Sequence, residues 1–312
     1  MIARAHAYAS LLLCLGPATS CAGGSTFAGA LDDVTVPGAP ARLRAKLEGR
    51  LGRDVVGVRV LFEVGRKRLE ATTDRDGLAT AAWAAAEPGV YAYRARRADR
   101  PSAAVARARI FVVPRRRPLA IVDIDGTLST AAGPEVLLRG GADAPTFSGA
   151  PELLRDLARR YQLVYLTARD DAFLSPTRRF LARHRFPPGP VLFNDWGFWD
   201  PDARAQLRPS RHGEFKLRVL RGLAARGLRL ALGIGNAETD AEAYEAAGLR
   251  SCIRREGDRV GRRSFCFADY GELRRRLVAE GFLEPSPGEG ASAAAARALR
   301  EAPRRLFARL PR

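Results

Sequence analysis

Between Pro118 and Leu283 short apolar runs alternate with amphipathic segments, and this alternation constrains the chain more than any other feature. Leu119–Ile124, Leu163–Leu166, Val191–Phe193 and Leu228–Ile234 have the length and continuous apolar character of buried strands, and Ser251–Ile253 is a candidate fifth. Pro151–Arg160, Pro176–His184, Glu214–Arg226 and Thr239–Ala247 carry helical periodicity between them. Strand and helix in strict succession predict an α/β fold: a doubly wound parallel sheet with helices on both faces. In such sheets ligands bind outside the carboxyl ends of the strands, so any chemistry should cluster just after each strand.

It does. The first strand ends in Asp123-Ile124-Asp125-Gly126-Thr127. Two carboxylates separated by one residue at a strand end can divide two tasks. Asp123 can attack an electrophilic phosphorus, and Asp125 can protonate a leaving oxygen and later deprotonate water. Gly126 permits the tight turn between them. The second strand runs into Thr167-Ala168-Arg169-Asp170, where a hydroxyl, a backbone N–H and a guanidinium fork could hold phosphoryl oxygens. Lys216 lies in the third helix, one of very few lysines in a chain that otherwise uses arginine. The fourth strand leads into Gly235-Asn236-Ala237-Glu238-Thr239-Asp240.

The order of these motifs resembles the haloacid dehalogenase superfamily. The stretches VDIDGTLS, YLTARDDAFLSPTRRFL, HGEFKLRVLRGL and GIGNAETDAEAYEAAGL are similar to the catalytic domain of lipin-type phosphatidate phosphatases. A related domain ends the membrane-associated phosphatidylinositol-transfer proteins. The resemblance covers about half the chain. It implies a haloacid-dehalogenase-like Rossmannoid phosphatase over residues 118–283 that uses Mg²⁺ and an aspartyl-phosphate. It assigns Asp123, Asp125, Thr167 and Lys216 to catalysis, and Thr167, Ala168, Arg169 and Lys216 to the phosphate. Asp123, Asp125 through its main-chain carbonyl, Asn236 and Asp240 are left for the metal. Phosphatidate or another phosphorylated lipid is the implied substrate. A nucleic-acid end phosphatase or a broad phosphomonoesterase would keep the mechanism, and a non-catalytic lipid-phosphate module is the third reading.

Ahead of this region, residues 34–113 show short alternating runs. Val56–Val64, Leu69–Thr73, Leu78–Trp83, Val90–Tyr93 and Ile110–Val113 are separated by turn signals at Asp76-Gly77 and Pro88-Gly89. They predict a small all-β sandwich, similar to the Ig-like or transthyretin-like modules of exported bacterial proteins. Residues 22–33, rich in Gly, Ala and Ser, read as a tether.

Residues 1–21 read as an export signal, with Arg4 ahead of an apolar run from Ala7 to Leu15. Cys21 after Ala18-Thr19-Ser20 suits either lipid attachment or plain cleavage. The expected location is therefore periplasmic, or membrane-anchored through Cys21. Export would let an oxidising compartment join Cys252 to Cys266. The net charge of +18 favours an anionic partner such as a membrane surface, with nucleic acid a weaker candidate; charge alone says nothing of fold. Trp196, Phe198 and Trp199 could dip into a bilayer or pack as a lid. The basic tail, residues 284–312, is similarly open between a surface helix and a frayed end. Oligomeric state is not legible.

Overall fold

In the computed structural model, residues 26–49, 53–100, 104–130, 143–194, 209–255 and 261–285 are described. The export signal, the Trp196–Trp199 aromatics and all but the first two residues of the basic tail lie outside them.

The N-terminal part is built from two sheets. One has the order β1-β3-β6, formed by Thr26–Leu31, Ala41–Glu48 and Leu78–Trp83. The other has the order β2-β8-β7-β4-β5, formed by Asp33–Thr35, Ala106–Val112, Gly89–Arg97, Arg59–Val64 and Lys67–Thr72. Alternate residues of both sheets meet in one core that includes Leu43, Phe62, Trp83, Tyr93 and Ile110. The period-two pattern in the sequence is the cause, since it puts every second side chain on the buried face. β2 pairs with β8 in parallel; the other strand pairs here are antiparallel.

The expected tether is corrected by the structure. Residues 26–31 form β1, paired along β3, and Asp32 and Asp33 are fully buried. Small residues there serve close packing instead of flexibility. A Cβ on Gly29 would come within 2.2 Å of the Leu174 side chain.

The second part is a six-stranded parallel sheet of order β11-β10-β9-β12-β13-β14. Its strands are β9 Leu119–Val122, β10 Gln162–Asp170, β11 Val191–Asn194, β12 Leu230–Gly235, β13 Arg250–Arg254 and β14 Ser264–Phe267. Among the described residues five helices accompany it: α1 Ala150–Arg160, α2 Leu174–Arg183, α3 Pro209–Ala225, α4 Glu238–Ala246 and α5 Tyr270–Ala279. Ala120, Val122, Leu163 and Tyr165 point to a core shared with α1, α2 and α5. Leu119, Ile121, Val164 and Leu166 point the other way, to a core shared with α3 and α4. Val34, Val36, Phe111 and Val113 of the N-terminal part complete that second core. β10 continues through Thr167–Asp170, four residues past its expected end, with an irregular register against β11 between Leu166 and Asp170.

The expected Cys252–Cys266 disulfide is absent. Cys252 sits opposite Phe265 and Cys266 opposite Ile253 in the parallel register of β13 and β14. Paired residues share a face, so the two sulfurs project from opposite faces of the sheet.

Two buried carboxylates join the parts. Asp32 accepts hydrogen bonds from the Arg109 and Val191 backbone N–H groups and from Arg178 of α2. Asp33 accepts from the Arg42 N–H and from Arg226, just past α3. One arginine thus comes from each helical layer. Removing a buried carboxylate strands its donors, a loss of about 3 kcal/mol or more. Asp32→Ala is therefore expected to lower the melting temperature by roughly 6–12 °C, at about 2–4 °C per kcal/mol for a chain of this size. Both parts should melt in a single transition; differential scanning calorimetry of wild type and variant checks both expectations.

Candidate functional site

The carboxyl ends of the central strands converge on one buried ammonium group. The Lys216 Nζ donates to Asp123 Oδ1 at 2.7 Å and to Asp240 Oδ1 at 2.5 Å. All three residues are buried. Asp123 follows β9 directly, and its N–H continues the ladder to the Ile234 carbonyl of β12. Lys216 reaches in from α3, which begins at Pro209, so the lysine stands two turns into the helix instead of at its start. Asp240 lies in the first turn of α4, where its Oδ2 accepts the N–H groups of Asn236 and Ala237. That turn is tight: a Cβ on Gly235 would meet the Asp240 carboxylate at 2.5 Å.

The loop after Asp123 is fixed from several sides. Gly126 has φ +69°, and a Cβ there would lie 2.3 Å from the Asn236 amide nitrogen. Glycine is thus required both by conformation and by space. Thr127 donates its hydroxyl to Asp123 Oδ2 at 3.0 Å, with a longer contact to Asn236 Oδ1 at 3.3 Å. The Tyr270 hydroxyl donates to the Thr127 carbonyl at 2.6 Å, and Arg254 donates to the Gly126 carbonyl at 2.7 Å while lying over the Phe147 ring.

Asp125 is the partly exposed acid of the pair, and it points to β10. Arg169 grips it as a fork, Nε to Oδ2 at 2.7 Å and Nη2 to Oδ1 at 2.6 Å. The third guanidinium nitrogen donates to the Thr177 hydroxyl at 2.8 Å. Thr167 is fully buried, and its hydroxyl oxygen accepts the Arg169 N–H at 3.2 Å.

The structure therefore brings Asp123, Thr127, Lys216, Asn236 and Asp240 into one cluster. It sets Asp125, Arg169 and Thr167 beside it as a second. Arg169, expected on phosphate, holds a carboxylate here. Asn236 binds through its side chain to Thr127, and Asp240 takes up only its backbone N–H. Among the described residues no three His, Cys, Asp or Glu side chains group as a metal site, and the Asp125 carboxylate is turned to Arg169. Sequence reasoning missed Thr177, which backs Arg169, and Tyr270, which holds a carbonyl 143 residues away. Tyr270 belongs to no motif read from the sequence; Thr177 lies within the stretch YLTARDDAFLSPTRRFL, where its position two residues after Ser175 carries no sign of a contact with Arg169.

Electrostatics sets the state of this cluster. Two carboxylates share one ammonium, leaving one surplus negative charge out of water. Burial pushes the Asp123 carboxyl up to about 7; Lys216 opposes the shift, and Asp240 and then Asp125 reinforce it. For Lys216, burial works against the charge, but Asp123 and Asp240 outweigh it and hold the ammonium well above its usual range. A raised carboxylate pKa means the native state binds a proton that the unfolded chain has already lost. Its cost therefore grows as pH rises from about 4 to about 7. Asp123→Asn should melt a few degrees higher than wild type at pH 8, with the advantage shrinking towards pH 4.5. Thermal unfolding at the two pH values checks this.

Comparison with known proteins places a relative on this part of the chain. Residues 120–252 match the family model described as PITM 1-3, LNS2 domain, which is less than half of the sequence. No curated protein matches. Among solved structures, the Pnkp1/Rnl/Hen1 RNA repair complex aligns at 21% identity over 42% of this chain and 40% of that one, with a TM-score of 0.32. A HAD-superfamily hydrolase of subfamily IA from Geobacter sulfurreducens PCA aligns at 16% identity over 51% of this chain and 99% of its own, with a TM-score of 0.34. The D0-D1 domain of Intimin aligns at 18% identity over 31% of this chain and 56% of its own, with a TM-score of 0.23. The chain thus spans less than half of the RNA repair protein it matches.

Proposed function

We propose that residues 118–283 form a phosphohydrolase that works through an aspartyl-phosphate on Asp123 and hydrolyses phosphatidate or a related lipid phosphate. The observation that carries the reading is Lys216 bridging Asp123 and Asp240 beside the Asp123–Thr127 loop, within the stretch that matches the LNS2 model.

The chemistry follows from the two clusters. An Asp123 oxygen attacks phosphorus, and the ester oxygen departs with a proton from Asp125. Asp125 then takes a proton from water, which attacks the phosphorus of the acyl phosphate and releases inorganic phosphate and the Asp123 carboxylate. Lys216 keeps the nucleophile oriented and offsets charge that builds on the phosphoryl oxygens. The Thr127 hydroxyl fixes the second oxygen of Asp123, so one oxygen is aimed. Arg169 orients Asp125 by donating to both of its carboxylate oxygens. An incoming phosphate competes for the same fork and frees Asp125 for the acid step.

The donor set suits a hard cation: carboxylate oxygens of Asp123 and Asp240, two acids on one ammonium, with the main-chain carbonyl of Asp125 as the further oxygen that the family resemblance implies. Mg²⁺ held by these groups would neutralise phosphoryl oxygens during the transfer. The same proposal takes residues 1–21 as an export signal, which puts the enzyme outside the cytoplasm, and residues 34–113 as an Ig-like docking module.

The test is phosphate release from phosphatidate in mixed micelles, with Mg²⁺ and with EDTA. A soluble phosphomonoester and a 3′-phosphorylated oligonucleotide run alongside. Metal-dependent release from phosphatidate is expected, with Asp123→Asn reducing kcat by at least ~10³-fold. Preference for the oligonucleotide would keep the mechanism and replace the substrate; the net charge of +18 is what keeps that second reading in play. Binding of phosphatidate without turnover would reduce the domain to a recognition module.

A further inference from the structure

We infer that the outer face of strands β7, β4 and β5 and the start of β8, clear of the Val34–Phe111 end that packs on the parallel sheet, docks the protein on an anionic phospholipid surface. The inference rests on a lipid substrate and adds to it the surface through which the enzyme meets its membrane.

The strand register defines the face. Val60, Phe62, Tyr93, Ala95, Ala108 and Ile110 point into the core of the N-terminal part. The alternate positions of the same strands point out. They place six arginines, Arg59, Arg68, Arg94, Arg96, Arg107 and Arg109, against two glutamates, Glu63 and Glu70. Glu63 pairs with Arg68 and Arg96, and Glu70 with Arg59. Arg94, Arg107 and Arg109 have no carboxylate partner among the described residues; Arg109 lies instead over the Phe111 ring. Arg94 and Arg107 stand directly opposite each other across β7 and β8, and both are exposed. Like charges directly opposite on a sheet destabilise it. The row therefore costs stability that an anionic partner would return. Next to it Val90, 58% exposed, adds an apolar contact.

The face also lies at a useful place. The Arg107 carbonyl accepts a hydrogen bond from Arg178, one turn into α2. That helix follows directly on the segment Thr167–Asp171, which carries the Arg169 fork. β1 packs on the turn Asp171–Phe173 at the same end. The Arg107 backbone is thus tied to the helix that follows, after the turn Asp171–Phe173, the end of β10 that carries Arg169. A basic sheet face of this kind is complementary to acidic headgroups, at about fivefold in binding per arginine near the surface.

The test uses the full chain and vesicles of phosphatidylcholine with or without phosphatidylglycerol, a lipid with no phosphomonoester for the site to engage. Co-sedimentation is expected with the phosphatidylglycerol vesicles alone, weakening in 0.5 M salt. Arg94→Gln/Arg107→Gln should weaken it by about 10- to 30-fold. Arg159→Gln/Arg275→Gln, which removes the same charge from exposed positions on α1 and α5, should not. With phosphatidate in the vesicles, the first double variant should raise the apparent KM in bulk lipid and leave kcat at saturation unchanged. Its turnover of a soluble phosphomonoester should also be unchanged. Equal loss in both double variants, equal binding to neutral vesicles, or binding to an oligonucleotide with none to vesicles would overturn the assignment. Vesicle binding is read without turnover. A chain that binds through this face yet releases no phosphate from lipid would sink the substrate reading and leave the surface standing.

Discussion

One buried ammonium organises the parallel-sheet half of the molecule. Lys216 arrives from α3, Asp123 from the end of β9 and Asp240 from the start of α4, and each is placed by an element that has its own reason to form. The ammonium lets two carboxylates approach in a medium where burial pushes the Asp123 carboxyl towards its protonated form. It leaves the cluster one charge short of neutrality, and that deficit gives the site its appetite for a cation or a proton. The surrounding details serve this point: Gly126 and Gly235 allow close approach, Thr127 fixes one oxygen, and Tyr270 fixes Thr127.

The second acid is governed separately. Asp125 is two residues from Asp123 along the chain, yet it faces a different strand and a different cation. Dividing the pair between Lys216 and Arg169 keeps two neighbouring carboxylates from competing for a single counter-charge. In the proposed mechanism it lets one serve as nucleophile while the other exchanges protons. Thr177 matters here because it fixes the far side of the guanidinium and so the direction of the fork.

Much of this was legible in the sequence, for a local reason. Strand-then-acid is a pattern of adjacent residues, so Asp123 and Asp125 could be picked out before any fold was known; Lys216 and Asp240 rest on the resemblance to the haloacid dehalogenase motifs. The partner of Arg169 could not, because a guanidinium fork suits a phosphate and a carboxylate equally well. Residues 26–33 misled in another way. Gly, Ala and Ser report low side-chain bulk, which a flexible tether and a tightly packed strand share; the pairing of β1 with β3 decides between them. For Cys252 and Cys266, an even count carries no information on which face of a sheet each sulfur occupies. Only the register of β13 and β14 supplies it.

The clasp between Asp32 and the parallel sheet has a further consequence. β11 is the terminal strand of that sheet, and an uncovered strand edge is a template for pairing with another chain. The Val191 N–H at its start points out of the sheet and is taken up by Asp32, with Arg178 closing over the same carboxylate. The N-terminal part thus acts as a guard on the sheet's open border. A fragment that starts at Pro118 would keep the Lys216 and Arg169 clusters and lose the cover, exposing a sticky margin and the apolar patch that Val34 and Phe111 now occupy.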